Sequence, residues 1–131
     1  MKGRAFVVVS LIATSVACFG IADGSWLKKV GQADRDRVNP YAANADAIKA
    51  GANLFNSNCA KCHGADGVGK GSRPSLQSER IEDATDGELA WLLKNGNIYK
   101  GMPGWGGLPE RQRWQIVAYV RSLNSQGKVG Q

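Results

Sequence analysis

One pentapeptide constrains this chain more than any other feature. Cys59-Ala60-Lys61-Cys62-His63 holds its single histidine, and Met102 is its single methionine besides the initiator. In a C-x-x-C-H run, two thiols form thioether bonds to haem vinyl groups while the adjacent imidazole reaches the iron from one face. Met102 lies in Lys100-Gly101-Met102-Pro103-Gly104, far enough downstream for the chain to cross the haem and offer sulfur to the opposite face. A lone methionine is more often a core gap-filler than a ligand. Here no histidine remains for the sixth position, and Gly101 and Pro103 give a stiff, helix-free loop that can hold a sulfur fixed. Lysines would compete only when deprotonated, which is unfavourable at neutral pH. The expectation is one covalently bound haem c, attached through Cys59 and Cys62, with His63 and Met102 on the metal.

Two other chemistries use a Cys-x-x-Cys pair. A thioredoxin-like redox site wants a preceding strand and a βαβ context, whereas 47–55 reads as helix and no run of β-branched residues follows the leader. A structural zinc site needs four ligands, and only Cys59, Cys62 and His63 are available once Cys18 is set aside.

Lys2 and Arg4 precede an uncharged stretch over 5–22 with an apolar centre, Phe6-Val7-Val8-Val9-Ser10-Leu11-Ile12. This predicts a signal peptide over 1–22, with cleavage after Ala22. A lipidated Cys18 and an uncleaved anchor are the alternatives. Export and the haem motif agree, because c-type haem is attached outside the bacterial cytoplasmic membrane, so the expected location is periplasmic. The formal charge of the whole chain is +6, and without Lys2 and Arg4 fifteen basic side chains face eleven acidic ones. Nucleic-acid binding would want a dense basic stripe with interleaved aromatics. These cations are dispersed among acids, so no nucleic-acid partner is expected.

The remainder divides into a polar lead segment over 23–40 and one domain over 41–131. The lead carries a small apolar cluster, Trp26, Leu27 and Val30, then Asp34-Arg35-Asp36-Arg37, and Pro40 closes it. It reads as a short helix or arm lying on the domain. Asn44 is a suitable N-cap for a helix to about Asn58, with Ile48, Gly51, Ala52 and Phe55 on one face. Gly51 on an apolar face costs about 1 kcal/mol of helix propensity, so another backbone is expected to approach there. Thr85-Asp86-Gly87-Glu88 is a capping box opening a helix that Gly96 ends, with Leu89, Leu92 and Leu93 as its buried stripe and Trp91 on the flank. A last helix starts at Pro109 and carries Trp114, Ile116, Val117, Tyr119, Val120 and Leu123 on a wide apolar side. The reading is all-α.

These residues together resemble a class I c-type cytochrome over about 41–123. The resemblance rests on Ala50-Gly51 with Leu54-Phe55, on Cys59 to Gly64, on Gly67-Val68-Gly69-Lys70-Gly71 leading to Arg73-Pro74-Ser75-Leu76, on Gly101 to Trp105, and on Trp114 to Leu123. It implies a small all-α fold whose first and last helices cross nearly at right angles around a haem. It implies that the Pro74 carbonyl accepts the Nδ1 proton of His63, that Leu76 and Leu93 lie on the haem faces or edge, and that Trp105 and Tyr99 flank Met102. Trp105 is thereby a candidate haem contact.

Iron held by two permanent protein ligands has no vacancy for substrate, so the expected function is one-electron transfer rather than catalysis, and methionine sulfur favours the ferrous state. The run Asn95 to Trp105 is similar to small cytochromes that take electrons from periplasmic quinoprotein dehydrogenases, and a respiratory terminal oxidase is an equally compatible acceptor. The expected partners are redox proteins met by a monomer in transient complexes. Lys61, Lys70, Arg73, Lys94 and Lys100 are expected near the haem edge, where they could steer an acidic partner. The rivals are a haem subunit of a larger oxidoreductase and a haem enzyme or gas sensor with a labile Met102. For the last, Arg73 would be the only obvious helper.

Overall fold

The computed structural model of the chain describes residues 24–127, with side chains described as far as residue 125. The expected leader over 1–22, Cys18 included, lies outside the described residues. Within them are six helices, α1 (Gln32–Arg35), α2 (Ala45–Asn58), α3 (Ala60–His63), α4 (Glu79–Asp83), α5 (Asp86–Asn95) and α6 (Glu110–Gly127), and two 3-10 turns, Ser25–Lys29 and Ile98–Lys100. The described residues form no strand, only an isolated bridge between Asn97 and Met102. None of the described helices is long and apolar enough to cross a membrane.

The helix ends follow local chemistry. Asn44 Oδ1 accepts the Ala47 N–H at 2.8 Å, satisfying one of the free donors that open α2. The capping box of α5 is complete: Thr85 Oγ1 accepts from Glu88 N at 3.1 Å, and Glu88 Oε2 accepts from Thr85 N at 2.8 Å. Gly96, at φ 72°, ends that helix where a side chain would be strained. The Pro109 carbonyl accepts from Gln112 and Arg113 N–H groups at 2.9 and 3.2 Å. Pro109 therefore stands just before α6 rather than as its first residue.

The centre of the core is the contact of α2 with α6. A β-carbon on Gly51 would lie 2.0 Å from the Gln115 carbonyl oxygen, so the two backbones touch there. Beside it the Phe55 and Tyr119 rings meet with centroids 5.2 Å apart at 57°, and Phe55, Ile116 and Val117 are the largest fully buried side chains. The buried line on α2 is Ala47, Gly51 and Phe55, leading to Cys59, while Ile48 and Ala52 are only half-buried. This four-residue ridge is narrower than the face expected from the sequence, because the closest approach to α6 selects one row. On α5 the buried residues are Gly87, Glu88, Leu89 and Ala90, whereas Leu92 and Leu93 are half-buried. The lead segment covers the first turn of α5, which moves burial towards its N-terminus.

That lead segment is held closely. Trp26 and Val30 are part of the core cluster. Arg35 pairs with Glu88 at 2.8 Å and donates to the carbonyls of Leu27 and Val30 at 2.6 and 3.1 Å. A β-carbon on Gly87 would lie 1.8 Å from the Asp34 carbonyl, so glycine is what lets α1 lie on α5. Arg37 pairs with Glu110 and lies 5.1 Å from the Trp114 ring, while the buried Asn39 donates to the Trp114 carbonyl at 2.9 Å. At the other end of α6, Arg121 binds Asp86 at 2.7 Å and the Ile81 carbonyl at 2.6 Å.

Two outcomes follow from this packing. Gly51→Ala gains about 1 kcal/mol of helix propensity but forces a backbone clash, and overpacking of this kind costs up to about 3 kcal/mol or more. A net loss of about 2 kcal/mol in guanidinium unfolding is expected. Arg37 holds the Glu110 carboxyl below its ordinary value of 4.5, chiefly by its hydrogen bond. A depressed carboxyl pKa contributes stability above the unfolded value and loses it as pH falls through the folded one. Glu110→Gln should therefore lower Tm slightly above pH 4.5, and the difference should fade on acidification and on adding salt.

Candidate functional site

The end of α2, the short α3, the loop over 64–78, α4 and the loop over 96–105 enclose one large cavity. Its space is about 1090 Å³, counting the open solvent at its mouth. Cys59, Cys62, His63, Pro74, Leu76, Met102 and Trp105 all line it. So do Trp26, Ile81 and Leu92, which the sequence reading did not assign to the site. Leu93, expected on a haem face or edge, is not among the lining residues. Its neighbour Leu92 takes that place, a one-residue shift along α5. Tyr99 is likewise outside the wall and 92% exposed.

Each functional side chain is fixed by the chain around it. Cys59 closes α2, and its amide donates to the Phe55 carbonyl at 2.7 Å, so the helix carrying Gly51 sets where the first thiol stands. Burial, together with the neighbouring Cys62, pushes the Cys59 thiol up to about 11. It stays protonated at neutral pH, unlike the low-pKa thiolates of dithiol redox sites. Cys62 is exposed. His63 ends α3, and Gly64 at φ 79° turns the chain away.

The loop then folds back under the imidazole. Gly69 N donates to the His63 carbonyl at 2.7 Å, Leu76 N donates to Gly67 O at 2.7 Å, and His63 Nδ1 lies 3.1 Å from the Pro74 carbonyl. A carbonyl can only accept, so Nδ1 carries the proton and Nε2 keeps its lone pair. Burial lowers the His63 pKa below 6.5, with the Arg73 charge adding to this and the Pro74 bond opposing it. The ring is therefore a neutral donor at pH 7, the form in which histidine binds metals.

Met102 is held by a different device. Asn97 and Met102 exchange two backbone hydrogen bonds, 2.9 and 3.1 Å, which close the loop around the 3-10 turn. Gly101 at φ 79° makes the return. Trp105 N donates to the Leu93 carbonyl at 2.7 Å and fastens the far side to α5. Arg73 Nη1 reaches the Gly101 carbonyl at 3.3 Å, tying the Pro74 loop to the Met102 loop.

The donor set suits a haem. The wall is largely apolar, two thiols and one neutral imidazole come from the five-residue run Cys59 to His63, and a thioether comes from a separate loop. Arg73, Arg80 and Lys100 also line the cavity and carry charge of the sign that propionates need. Among the described residues no group of three or more His, Cys, Asp or Glu side chains is placed to hold a bare metal ion.

Fold and cavity thus define a small all-α haem protein with a Cys-x-x-Cys-His site. Residues 46–120 match the family model described as cytochrome c oxidase, cbb3-type, subunit III. The chain is 30% identical over 113 residues to cytochrome c550 of Pseudomonas aeruginosa, a match covering 78% of this chain and 75% of that one. It is also similar in structure to cytochrome CL from the marine methylotrophic bacterium Methylophaga aminisulfidivorans, at 31% identity and a TM-score of 0.56, covering 63% of this chain and 57% of that one. The chain spans less than two thirds of that cytochrome's length. The chain belongs to the cytochrome c family, as a class I c-type cytochrome that binds covalent haem c and serves electron transfer rather than catalysis.

The Pro74 loop generates a test. A β-carbon on Gly69, whose φ is 99°, would lie 2.4 Å from the Arg73 carbonyl and 3.2 Å from that of Pro74. Gly69→Ala should cost about 1–3 kcal/mol through backbone strain and displace the Pro74 acceptor. The His63 Nδ1 proton should exchange faster with solvent in the variant than in the parent protein when the two are compared by NMR.

Proposed function

We propose that the protein is a periplasmic one-electron carrier in which His63 and Met102 are the axial ligands and Cys59 and Cys62 the thioether attachment points. The observation that carries this reading is the convergence of the chain's one histidine and the Met102 loop on a single apolar cavity beside both cysteines. When bound, the haem supplies a one-electron ferric/ferrous couple.

The chain's own residues set the conditions for that couple. His63, oriented by Pro74, contributes a nitrogen of raised donor strength. Met102, clipped by Asn97, contributes sulfur, which raises the potential relative to a second histidine. With His63 and Met102 both on the iron, the couple would have no vacancy for oxygen or substrate. Trp26, Leu76, Ile81 and Trp105 exclude water from the ring, which limits solvent reorganisation on transfer. Export through the 1–22 leader brings the chain to the compartment where haem is attached.

The physiological donor in this reading is a periplasmic dehydrogenase of quinoprotein type, and the acceptor is a respiratory terminal oxidase. Support for the donor comes from the likeness of Asn95 to Trp105 to cytochromes serving such dehydrogenases. A second reading, a haem subunit of a larger oxidoreductase, draws support from the oxidase-subunit description of the matching family. Co-purification with an oxidoreductase at fixed stoichiometry would favour the second reading over the free carrier.

The ligand assignment has its own test. Met102→Ala should open one axial position, so that the ferrous protein binds carbon monoxide, and should lower the potential by on the order of 0.1 V or more, within the roughly 0.8 V that axial ligation spans. An unchanged potential with no carbon monoxide binding would mean that another group is the sixth ligand.

A further inference from the structure

We propose that Asn124, buried near the end of α6, is a positioning residue for His63. It holds the loop over 67–76 against the helix and so keeps the Pro74 carbonyl in place beside the imidazole, a role that rests on the carrier reading above, in which His63 ligates the iron.

Asn124 is 8% exposed, and its hydrogen bonds all leave from one side of the amide. Nδ2 donates to the Val120 carbonyl at 3.0 Å, one turn back on α6, and to the Leu76 carbonyl at 2.9 Å, across the contact with the loop. Both partners are carbonyls, which can only accept, so the amide cannot turn over without losing both bonds. That orientation leaves Oδ1 buried with no hydrogen-bond partner. A buried acceptor without a donor destabilises a fold, and leucine, which branches at the same carbon, would remove that cost. What Nδ2 holds therefore accounts for an amide at this position, and packing does not.

The Leu76 peptide leads directly to the site. Leu76 lines the cavity, and its amide donates to the Gly67 carbonyl at 2.7 Å while its carbonyl takes the Asn124 bond, so the residue is tied on both sides. Gly67 is itself pressed on α6, where a β-carbon would lie 2.8 Å from Leu123 Cδ1. Between these anchors run Gly69, whose amide donates to the His63 carbonyl at 2.7 Å, and Pro74, whose carbonyl accepts from His63 Nδ1 at 3.1 Å. Pro74 stands two residues before Leu76 in a stretch with no helix or strand to stiffen it. Its carbonyl is thus placed by the ends of the stretch, and Asn124 fixes one of those ends. The bond from Nδ1 raises the donor strength of the imidazole, which favours ferric iron, so a loosened Pro74 acceptor lets the potential rise.

The test combines NMR hydrogen exchange with redox potentiometry on the haem-loaded protein. In Asn124→Leu the His63 Nδ1 proton and the Leu76 amide should exchange about tenfold faster, the effect of losing one buried hydrogen bond. The Leu89 amide of α5, bonded to the Thr85 carbonyl at 3.0 Å, should stay within about twofold of the parent rate, and the midpoint potential should rise. Asn124→Thr keeps a hydroxyl bond to the Val120 carbonyl, as threonine does within helices, and gives up the reach to Leu76. It should show the same changes, and it carries the test if leucine overfills the site and prevents folding. Unchanged exchange at His63 and Leu76 overturns the role of Asn124, as does an acceleration shared equally by Leu89, or a potential that does not move. Each of those results leaves the carrier reading intact. A ferric parent protein whose His63 ring protons show no shift from the unpaired electron overturns the carrier reading itself, because the imidazole is then not on the iron.

Discussion

The backbone contact between Gly51 and Gln115 is the constraint on which the rest depends. It locks the axis of α2 against α6 at one point, and the rigid turns beyond that point carry the position forward to Phe55 and then to Cys59 at the helix end. Any side chain at residue 51 would separate the helices and displace the attachment motif with them. The same contact fixes the far face of α6, where Arg121 gathers α4 and α5. The helical framework is thus set by a short row of small and fully buried residues rather than by a large core.

The cavity walls are built on a different principle. Little of 64–78 or 96–105 is regular structure, yet each loop is closed by a few specific bonds, from Gly69 to His63, from Leu76 to Gly67, and between Asn97 and Met102. Asn124 adds a tie from α6, its Nδ2 donating to the Leu76 carbonyl at 2.9 Å. Glycines at positive φ make these paths available without side-chain strain. A chain this short buries a modest apolar core by itself, and the half-buried Leu92 and Trp105 side chains would gain further burial against a large apolar ligand. Covalent haem binding and folding are in this sense one problem.

Features whose physics is local were legible in the sequence. The capping box at Thr85, the N-cap at Asn44, the close approach at Gly51 and the spacing of Cys59, Cys62 and His63 each depend on a few consecutive residues. Pairing across long separations was not legible from spacing. The contacts of Arg35 with Glu88, of Gly87 with the Asp34 carbonyl and of Asn39 with the Trp114 carbonyl carry no sequence signature, because each depends on where two elements meet. Burial phase fell between these cases. Ala47 replaced Ile48, and Leu92 rather than Leu93 reached the cavity, because the neighbour that covers a helix decides which row of its apolar side is used. The Pro74 bond to His63 was foreseen only through family resemblance, as residues 11 positions apart in a loop have no periodicity to read.

One porphyrin held between an imidazole nitrogen and a thioether sulfur is the central claim, and optical spectroscopy of the exported protein reaches it most directly. The account predicts a pyridine haemochrome of a haem with two thioether bonds, and a low-spin ferric spectrum with a sulfur-to-iron charge-transfer band. A high-spin spectrum without that band, or a colourless protein with free Cys59 and Cys62 thiols, would contradict it.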